Sequence, residues 1–261
     1  MRILVTNDDG IRAKGLWTLA AKLRHVGEVV VVAPDREQSA ISSAITLHHP
    51  VRIAEVNSDF TRGIRAYSVE GTPADSVILS LGMLLKDKVD MVFAGINEGA
   101  NLGNDVLLSG TVGAALQGYF QGIPSVALSV EHSNEMHFES AAKLGALLAS
   151  KMGSMPALKG IMLNVNLPNL PLEEIEGIEI TRLARRSYVD SIQEGHDGKR
   201  EYYWIVRGSP QWEVEEATDI WAIEGRSVSI TPLHLDITDL SKGSFLRDLA
   251  GSLFSDLTGR E

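Results

Sequence analysis

The chain opens with MRILVTNDDG (residues 1–10), an apolar run that stops abruptly at polar residues. A helical pattern follows over Lys14–Val26. The Val-rich run at Glu28–Ala33 is typical of a strand that is buried on both faces. An apolar strand, a helix and a second apolar strand form the repeating unit of a parallel sheet. The opening of the chain therefore predicts an α/β fold.

The alternation of helices and strands continues well beyond this first unit. Pro73–Lys86 is typical of a helix, because a proline stands in its first turn and Thr72 can cap it. Further elements are predicted, in chain order, at Val89–Ala94, Ser109–Gln121, Ser125–Val130, Glu139–Met152 and Gly160–Asn166. The pattern predicts a parallel sheet with helices on both faces.

The pattern changes after about residue 170. Ile178–Leu183, Ser187–Ile192 and Tyr202–Val206 are short β-type segments, and a turn signal between the last two predicts an antiparallel hairpin. A helix, a strand and a terminal helix are predicted at Thr218–Glu224, Ser227–Thr231 and Ser244–Thr258. Because the sequence has no repeat or low-complexity linker, we predict one domain over 1–261. Its parts are a core at about 1–170, a hairpin extension at 178–206 and a C-terminal segment at 218–258.

Composition argues against several classes of protein. The net charge of −10 disfavours binding to polymeric nucleic acid, because phosphate backbones require basic surfaces. The absence of cysteine excludes disulfides, thiolate metal sites and cysteine nucleophiles. The N-terminus leads directly into a strand, and no apolar stretch approaches the length of a membrane span. We therefore expect a cytoplasmic protein without a membrane partner.

The pair Asp8 and Asp9, at the end of the first strand, is the sharpest chemical signal. In an open α/β sheet, ligands bind outside the carboxyl ends of the strands. Two adjacent carboxylates repel each other unless a cation neutralises them, and Mg²⁺ or Mn²⁺ prefers oxygen ligands. The pair predicts a divalent-metal site, and a solvated Asp-Gly turn is the alternative interpretation.

Three later segments are predicted to reach the same edge. Gly95–Asp105 combines glycines, which let a ligand approach the backbone, with asparagine amides. Ser109–Ala115 begins a helix whose free N–H groups and dipole suit a phosphate. Ser39 adds a hydroxyl in the loop after the second strand. A bland surface loop and ordinary helix caps are the competing interpretations.

Several familiar catalytic signatures are missing from the sequence. It contains no His-Glu-x-x-His pair, no Gly-x-Ser-x-Gly elbow and no Walker loop. Among the seven histidines, His132 lies just beyond a strand and could reach the polar edge, whereas His25, His48 and His49 are expected to be structural or exposed. Nothing in the sequence supports a P-loop or a dinucleotide-binding fingerprint.

Together these motifs resemble the SurE family of survival-protein nucleotidases. The matching segments are Ile3–Gly10, Ala33–Ser39, Gly71–Asp75, Gly95–Gly103, Ser109–Ala115, Thr218-Asp219 and Ser229–Leu233. The resemblance implies a Rossmann-like, mostly parallel wound sheet with a β-hairpin extension and a C-terminal helix. It also implies a metal-dependent 5′-nucleotidase, a phosphomonoesterase that acts on nucleoside 5′- and 3′-monophosphates. Some members are said to trim short polyphosphate as well.

The resemblance also implies roles for individual residues. One divalent ion, Mg²⁺ or Mn²⁺, would be held by Asp8, Asp9, Ser39 and Asn97, and the two aspartates would be catalytic. Contacts to phosphate or substrate would fall on Asn7, Asn97, Ser109, Gly110 and Thr111.

Two positions depart from the family pattern. Ala40 stands where a glycine is expected after Ser39, and Ser76 stands where many members have cysteine. We expect Ala40 to narrow or stiffen the loop. We expect Ser76, on a helix, to affect packing only.

The hypothesis for the reaction is hydrolysis at phosphorus with water as the nucleophile. A covalent intermediate is less favoured, because Asp-Asp-Gly lacks the Asp-x-Asp spacing of phosphatases that form an aspartyl-phosphate. Whether an aspartate acts as general base or nucleophile stays open. The rival is a nucleotide-binding regulator without turnover. The paired carboxylates argue against it, because they repel a phosphate unless a metal intervenes.

The hairpin is predicted to mediate subunit contact. Tyr188, Tyr202, Tyr203 and Trp204 give a two-stranded ribbon more apolar surface than it can stably leave in water. We therefore expect a homodimer or homotetramer assembled through the hairpin and the C-terminal segment. The competing interpretation is that these rings pack onto their own domain.

Overall fold

A nine-stranded sheet forms the centre of the protein in a computed structural model, which describes residues 1–61, 63–86, 88–188, 191–206, 208, 210–212 and 214–259. The elements, in chain order, are β1 (Arg2–Thr6), α1 (Lys14–Leu23), β2 (Glu28–Pro34), β3 (Ile53–Glu55), β4 (Arg65–Val69), α2 (Pro73–Leu79), β5 (Met91–Glu98), α3 (Gly110–Phe120), β6 (Ser125–Val130), α4 (Phe138–Ser154), β7 (Met162–Leu167), β8 (Gly177–Ile180), β9 (Arg186–Tyr188), β10 (Ser191–His196), β11 (Glu201–Val206), β12 (Pro210–Trp212), α5 (Asp219–Glu224), β13 (Ser227–Leu233) and α6 (Gly243–Thr258).

The order of strands in the large sheet is β3-β4-β2-β1-β5-β6-β7-β13-β8. The six strands from β4 to β7 pair in parallel, whereas β3 and β13 run antiparallel to β4 and β7. This arrangement confirms the predicted mostly parallel wound sheet. The chain moves outward from β1 to β2 and β4 and then returns to place β5 on the other side of β1. A crevice therefore opens at the carboxyl ends of β1 and β5, the switch point of such a sheet.

Two hydrophobic clusters cover the faces of the sheet. Ile3 and Val5 pack in one cluster with residues of α1 and α4, and Leu4 packs in the other with residues of α2 and α3. This division follows from the period of two in a strand, which sends successive side chains to opposite faces. Because β1 is buried on both faces, the residues that leave its end start from a fixed position.

The structure corrects several of the predicted element boundaries. The fifth strand continues to Glu98 and not only to Ala94, so Asn97 belongs to a strand and not to a loop. The helix predicted over Pro73–Lys86 is α-helical only to Leu79 and then continues as a π-helical turn. The strands β3 and β4 were not predicted, because these short segments are only partly buried.

The segment Ile178–Leu183 is a further correction. It was assigned to the antiparallel extension, but β8 joins the large sheet, where it runs parallel to β13. The pairing of Ile178 with Val228 spans a long stretch of sequence, so no local pattern could reveal it.

A two-stranded ribbon of β10 and β11 confirms that a hairpin is present. Its first strand is Ser191–His196 and not the predicted Ser187–Ile192, whose first residues belong to β9 and pair with β12. The ribbon exposes large apolar side chains: Ile192, Tyr203, Trp204 and Ile205 are 68%, 57%, 65% and 81% exposed. The side chain of Tyr188 lies outside the described part of the structure. The helix α6 also exposes apolar side chains, namely Phe245, Leu253, Phe254 and Leu257. Within the ranges given above, none of the helices is long and apolar enough to cross a membrane.

Gly15 sets how closely α1 approaches β5. A Cβ atom built at this position would collide with the backbone carbonyl of Ile96, next to Asn97. We predict that Gly15→Ala destabilises the fold by about 1–3 kcal/mol through overpacking. The melting midpoint should then fall by roughly 2–4 °C for each kcal/mol. Differential scanning calorimetry measures this change.

Gly82→Ala is the matched control for Gly15→Ala. Gly82 is exposed, and in the described structure no heavy atom lies within 4 Å of a Cβ built on it. Its midpoint should stay level or rise slightly, since alanine reduces the entropy of the unfolded chain. Equal midpoints for the two variants would show that Gly15 does not govern this contact.

Candidate metal and phosphate site

Polar residues from three strand ends meet at the switch point. Asp8 and Asp9 follow β1, Ser39 follows β2, and Asn97 lies near the end of β5. Together with Ser109, at the start of α3, they line one cleft of about 480 Å³. The structure therefore brings the four predicted metal ligands to a single cavity.

Asp8 is nearly buried, with only 4% of its surface exposed. Its carboxylate accepts a hydrogen bond from the hydroxyl of Thr111, and its carbonyl accepts one from the Gln38 N–H at 2.7 Å. The helix α3 can come this close because Gly110 has no side chain: a Cβ there would lie 2.9 Å from Asp8 Oδ2. Burial raises the pKa of Asp8 even though hydrogen bonds from Thr111 oppose that rise.

One carboxylate oxygen of Asp9 lacks a hydrogen-bond partner in the described structure. Its Oδ2 is buried, and no hydrogen-bond partner reaches it from the residues that the structure describes. Burial raises the pKa of Asp9 to about 7, and the neighbouring charges of Asp8 and Glu98 add to this rise. A carboxylate in these surroundings is stabilised by a cation.

The chemistry of the remaining donors suits a hard divalent ion. The Asn97 amide donates to the Gly99 carbonyl at 2.7 Å, which leaves the amide oxygen for another partner. The Ser39 hydroxyl donates to Glu37 Oε1 at 2.6 Å and retains its lone pairs. Across the described ranges, no group of three or more His, Asp or Glu side chains is placed to hold a metal. An ion in the cleft would therefore need the neutral oxygens of Ser39 and Asn97 beside the two aspartates, and this oxygen set fits Mg²⁺ or Mn²⁺.

The residues predicted to contact phosphate divide into two groups. Asn97 and Ser109 line the cleft, and the Ser109 hydroxyl also caps α3 by accepting from the Val112 N–H at 3.1 Å. Asn7, Gly110 and Thr111 are buried behind the cleft wall. The Asn7 amide donates to the Gly10 carbonyl at 3.1 Å, and the Thr111 hydroxyl is committed to Asp8. The role of all five in phosphate binding stays a prediction.

The cleft also contains residues to which the sequence had assigned no role. Glu37, Glu98, Asn101 and Asp105 line it, and all of them fall inside segments that the sequence had marked. Residue type alone did not single them out, because exposed acids and amides are common on surface loops. His132, for which the sequence left reach to this edge open, also lines the cleft.

Ala40 occupies a conformation that favours glycine. Its φ of +56° lies in the left-handed region, and it lines the cleft next to Ser39. Ala40 thus adopts a backbone conformation that suits glycine, although it carries a Cβ atom. This conformation strains the residue and limits the freedom of the loop. The expected stiffening of the loop agrees with this geometry. Ser76 lies in α2 as predicted, buried, with its hydroxyl donating to the Thr72 carbonyl.

The fold and the cleft together define the class of protein. It is an α/β protein with a polar cleft at the switch point of its sheet, and the cleft offers oxygen ligands to a cation. Comparison with known sequences narrows the class. The sequence model described as "Survival protein SurE" matches residues 3–190. The chain belongs to the SurE family.

Relatives of this chain are similar over nearly their whole length. The "5'-nucleotidase SurE" of Dehalococcoides mccartyi strain CBDB1 is 48% identical over 90% of this chain and 89% of the relative. A protein of the same name from Vibrio parahaemolyticus is 43% identical over 91% of this chain and 90% of the relative. The crystal structure of the SurE protein from Aquifex aeolicus superposes with a TM-score of 0.81 at 38% identity. It covers 96% of this chain and 100% of that one.

The raised pKa of Asp9 predicts how the stability of the metal-free protein depends on pH. Between its ordinary pKa of 3.8 and about 7, the folded chain holds a proton that the unfolded chain has lost. The free energy of unfolding therefore falls as pH rises through this window. Asparagine does not titrate, so Asp9→Asn removes this decrease in the free energy of unfolding. The melting midpoint of the variant minus that of wild type should therefore be several degrees larger at pH 8 than at pH 5.

This difference is measured by thermal melts of both proteins in chelator across that range. A constant difference between variant and wild type would contradict the raised pKa of Asp9.

Proposed function

We propose that this chain is a divalent-metal-dependent phosphomonoesterase that releases phosphate from nucleotides. The observation that carries the proposal is the buried, unpartnered carboxylate oxygen of Asp9, which lies between acidic neighbours at the switch point of the sheet. Relatives at 42–48% identity are named 5'-nucleotidase SurE and match over at least 89% of their own length. The chain is accordingly an enzyme of the nucleotidase type.

In the proposed site, Asp8, Asp9, Ser39 and Asn97 hold one Mg²⁺ or Mn²⁺ ion. When bound, the ion would neutralise the paired carboxylates, polarise a phosphoryl oxygen and acidify a nearby water. Thr111 holds the Asp8 carboxylate in place by a hydrogen bond, whereas Asp9 Oδ2 has no such partner among the described residues. The two aspartates are thus the catalytic pair of the proposal, with Asp9 the more responsive to metal.

The start of α3 is the proposed phosphate-binding element. Ser109 faces the cleft, and the dipole of α3 favours negative charge at this end. Donors at this end of the helix would stabilise the charge that develops on the phosphoryl oxygens during hydrolysis. Asn7, Gly110 and Thr111 would support this wall from behind.

The proposed substrates are nucleoside 5′- and 3′-monophosphates, which yield nucleoside and phosphate, with short polyphosphate as a further substrate. A cleft of about 480 Å³ lies in the size range of small-molecule sites. The net charge of −10 disfavours polymeric nucleic acid. A nucleotide-binding regulator without turnover is not favoured, because the relatives of this chain are named as nucleotidases.

Removing one charge from the pair tests the catalytic assignment. We predict that Asp8→Asn and Asp9→Asn each lower phosphate release from AMP with Mn²⁺ by at least about 100-fold. Changes to partners outside the ligand shell already cost 10–100-fold. Chelation should silence the wild-type protein, and added Mn²⁺ should restore it.

Asp90→Asn is the control for this assay. Asp90 accepts a hydrogen bond from the Arg2 N–H at the amino ends of the strands, away from the cleft. This variant should keep its activity. Near-normal turnover by Asp9→Asn at saturating metal would refute the site, and a wild type that binds AMP without releasing phosphate would favour the regulator.

We also propose that the β10–β11 ribbon joins subunits into a homodimer or homotetramer. Trp204 and Ile205 occupy successive positions, so they point to opposite faces of the ribbon, and both are largely exposed. The double variant Trp204→Ser with Ile205→Ser should reduce the mass measured by light scattering towards the 28.3 kDa of one chain. Exposed apolar surface of this size is otherwise covered by a partner.

The control replaces polar residues on the facing strand. Gln193 pairs with Trp204 and Glu194 pairs with Tyr203, and both are exposed. Serine at these two positions should leave the mass unchanged. An assembly that survives the Trp204 and Ile205 changes would show that the ribbon does not hold the subunits together.

A further inference from the structure

A buried carboxylate that does not line the cleft connects three segments of the chain. Asp219, the first residue of α5, is 0% exposed. Its Oδ2 accepts from the Gly103 N–H at 2.7 Å, and its Oδ1 accepts from the N–H groups of Ala184 and Ile220 at 2.9 Å each. One side chain thus connects α5, the segment after β8 and the segment after β5.

Capping of α5 does not explain these bonds. Thr218 already caps the helix, because its hydroxyl accepts from the Trp221 N–H at 3.3 Å. Two of the three donors to Asp219 lie outside the helix, and Gly103 is 116 residues away in the chain. A buried carboxylate is costly unless N–H groups satisfy it, so these donors hold their segments firmly to α5.

An apolar contact reinforces the same connection. Leu102 packs with Ala184, Ile220 and Ile223 in a small buried cluster, and Ala100 packs against it. The cluster joins the same segments as the Asp219 carboxylate. The backbone from Ala100 to Gly103 is therefore held to α5 by hydrogen bonds and by packing.

This segment forms a wall of the cleft. Gly99, Ala100, Asn101 and Asp105 line it. The Gly99 carbonyl accepts the hydrogen bond from the Asn97 amide, and so fixes the rotation of that side chain. A shift of the segment would move this acceptor and so change the orientation of the Asn97 side chain in the cleft.

Buried amides hold the middle of the segment from the other side. The Asn101 carbonyl accepts from the amides of Asn164 and Asn166 at 2.8 and 3.2 Å. The Asn101 side chain in turn donates to the Ser129 hydroxyl at 2.9 Å. The segment is thus anchored to β6 and β7 at Asn101 and to α5 at Gly103.

We propose that Asp219 is a positioning residue for the phosphatase site, which holds Gly99–Gly103, and through Gly99 the Asn97 amide, in the arrangement that the cleft requires. Asp219 does not line the cleft, and it lies beyond residues 3–190 that the family model matches. Its effect on turnover rests on the proposed function, whereas its effect on the order of the segment does not.

The test replaces Asp219 by asparagine, which keeps the size of the side chain but turns one acceptor into a donor. Hydrogen–deuterium exchange of the metal-free protein should show the amides of residues 99–105 exchanging about tenfold faster or more. Exchange elsewhere in the sheet should stay as in wild type. The half-saturating Mn²⁺ concentration should rise, or kcat/KM on AMP should fall, by about 10–100-fold.

Two further variants keep the test decisive. Asp90→Asn removes another carboxylate that accepts from a backbone N–H, at the amino ends of the strands, and should leave exchange at 99–105 unchanged. If Asp219→Asn does not fold, Ile223→Ala weakens the apolar half of the same connection and should loosen the same residues.

Wild-type exchange at 99–105 in the folded variant, or faster exchange spread evenly over the whole chain, would overturn the proposal. A wild type without phosphatase activity would count against the proposed function alone, and the exchange experiment would still decide the role of Asp219.

Discussion

The mutual repulsion of Asp8 and Asp9, two largely buried carboxylates held side by side, is the constraint on which the rest of the site depends. Both pKa values are raised because burial disfavours the charged forms. Thr111 fixes Asp8 from the start of α3, and Gly110 makes that approach possible. The Oδ2 atom of Asp9 has no hydrogen-bond partner within the described structure, and this buried oxygen is what a cation would neutralise.

Packing of the sheet stabilises the fold in spite of the repulsion between the two aspartates. The β1 strand packs on both faces, with Ile3 and Val5 on one side and Leu4 on the other, so the strand end cannot move to relieve the repulsion. Hydrophobic burial on two faces offsets the electrostatic penalty at the edge. The paired aspartates lower the stability of the metal-free fold but provide a site for a ligand. Such a loss of stability is common where function requires like charges to stay together. The strained Ala40 belongs to the same region.

Local patterns were enough to predict the core and to place the polar residues at one edge of the sheet. The apolar run to Thr6, the Val-rich β2 and the polar residues at the strand ends are short-range features, and a parallel sheet must gather such ends at one edge. Contacts between distant residues were beyond local patterns. The pairing of β8 with β13 and the bond from Gly103 to Asp219 join segments that no periodicity connects. For the same reason, the sequence could not show that the Thr111 hydroxyl donates to Asp8 and does not line the cleft.

Direct observation of the ion tests the account most sharply. Crystals of metal-free protein would be soaked in Mn²⁺ and examined by anomalous diffraction. The account predicts one strong peak per chain in the cleft, within about 2.6 Å of oxygens of Asp8, Asp9 and Asn97, with Ser39 at its edge. No peak in the cleft at saturating Mn²⁺, or an ion held elsewhere while the two aspartates stay unneutralised, would contradict it.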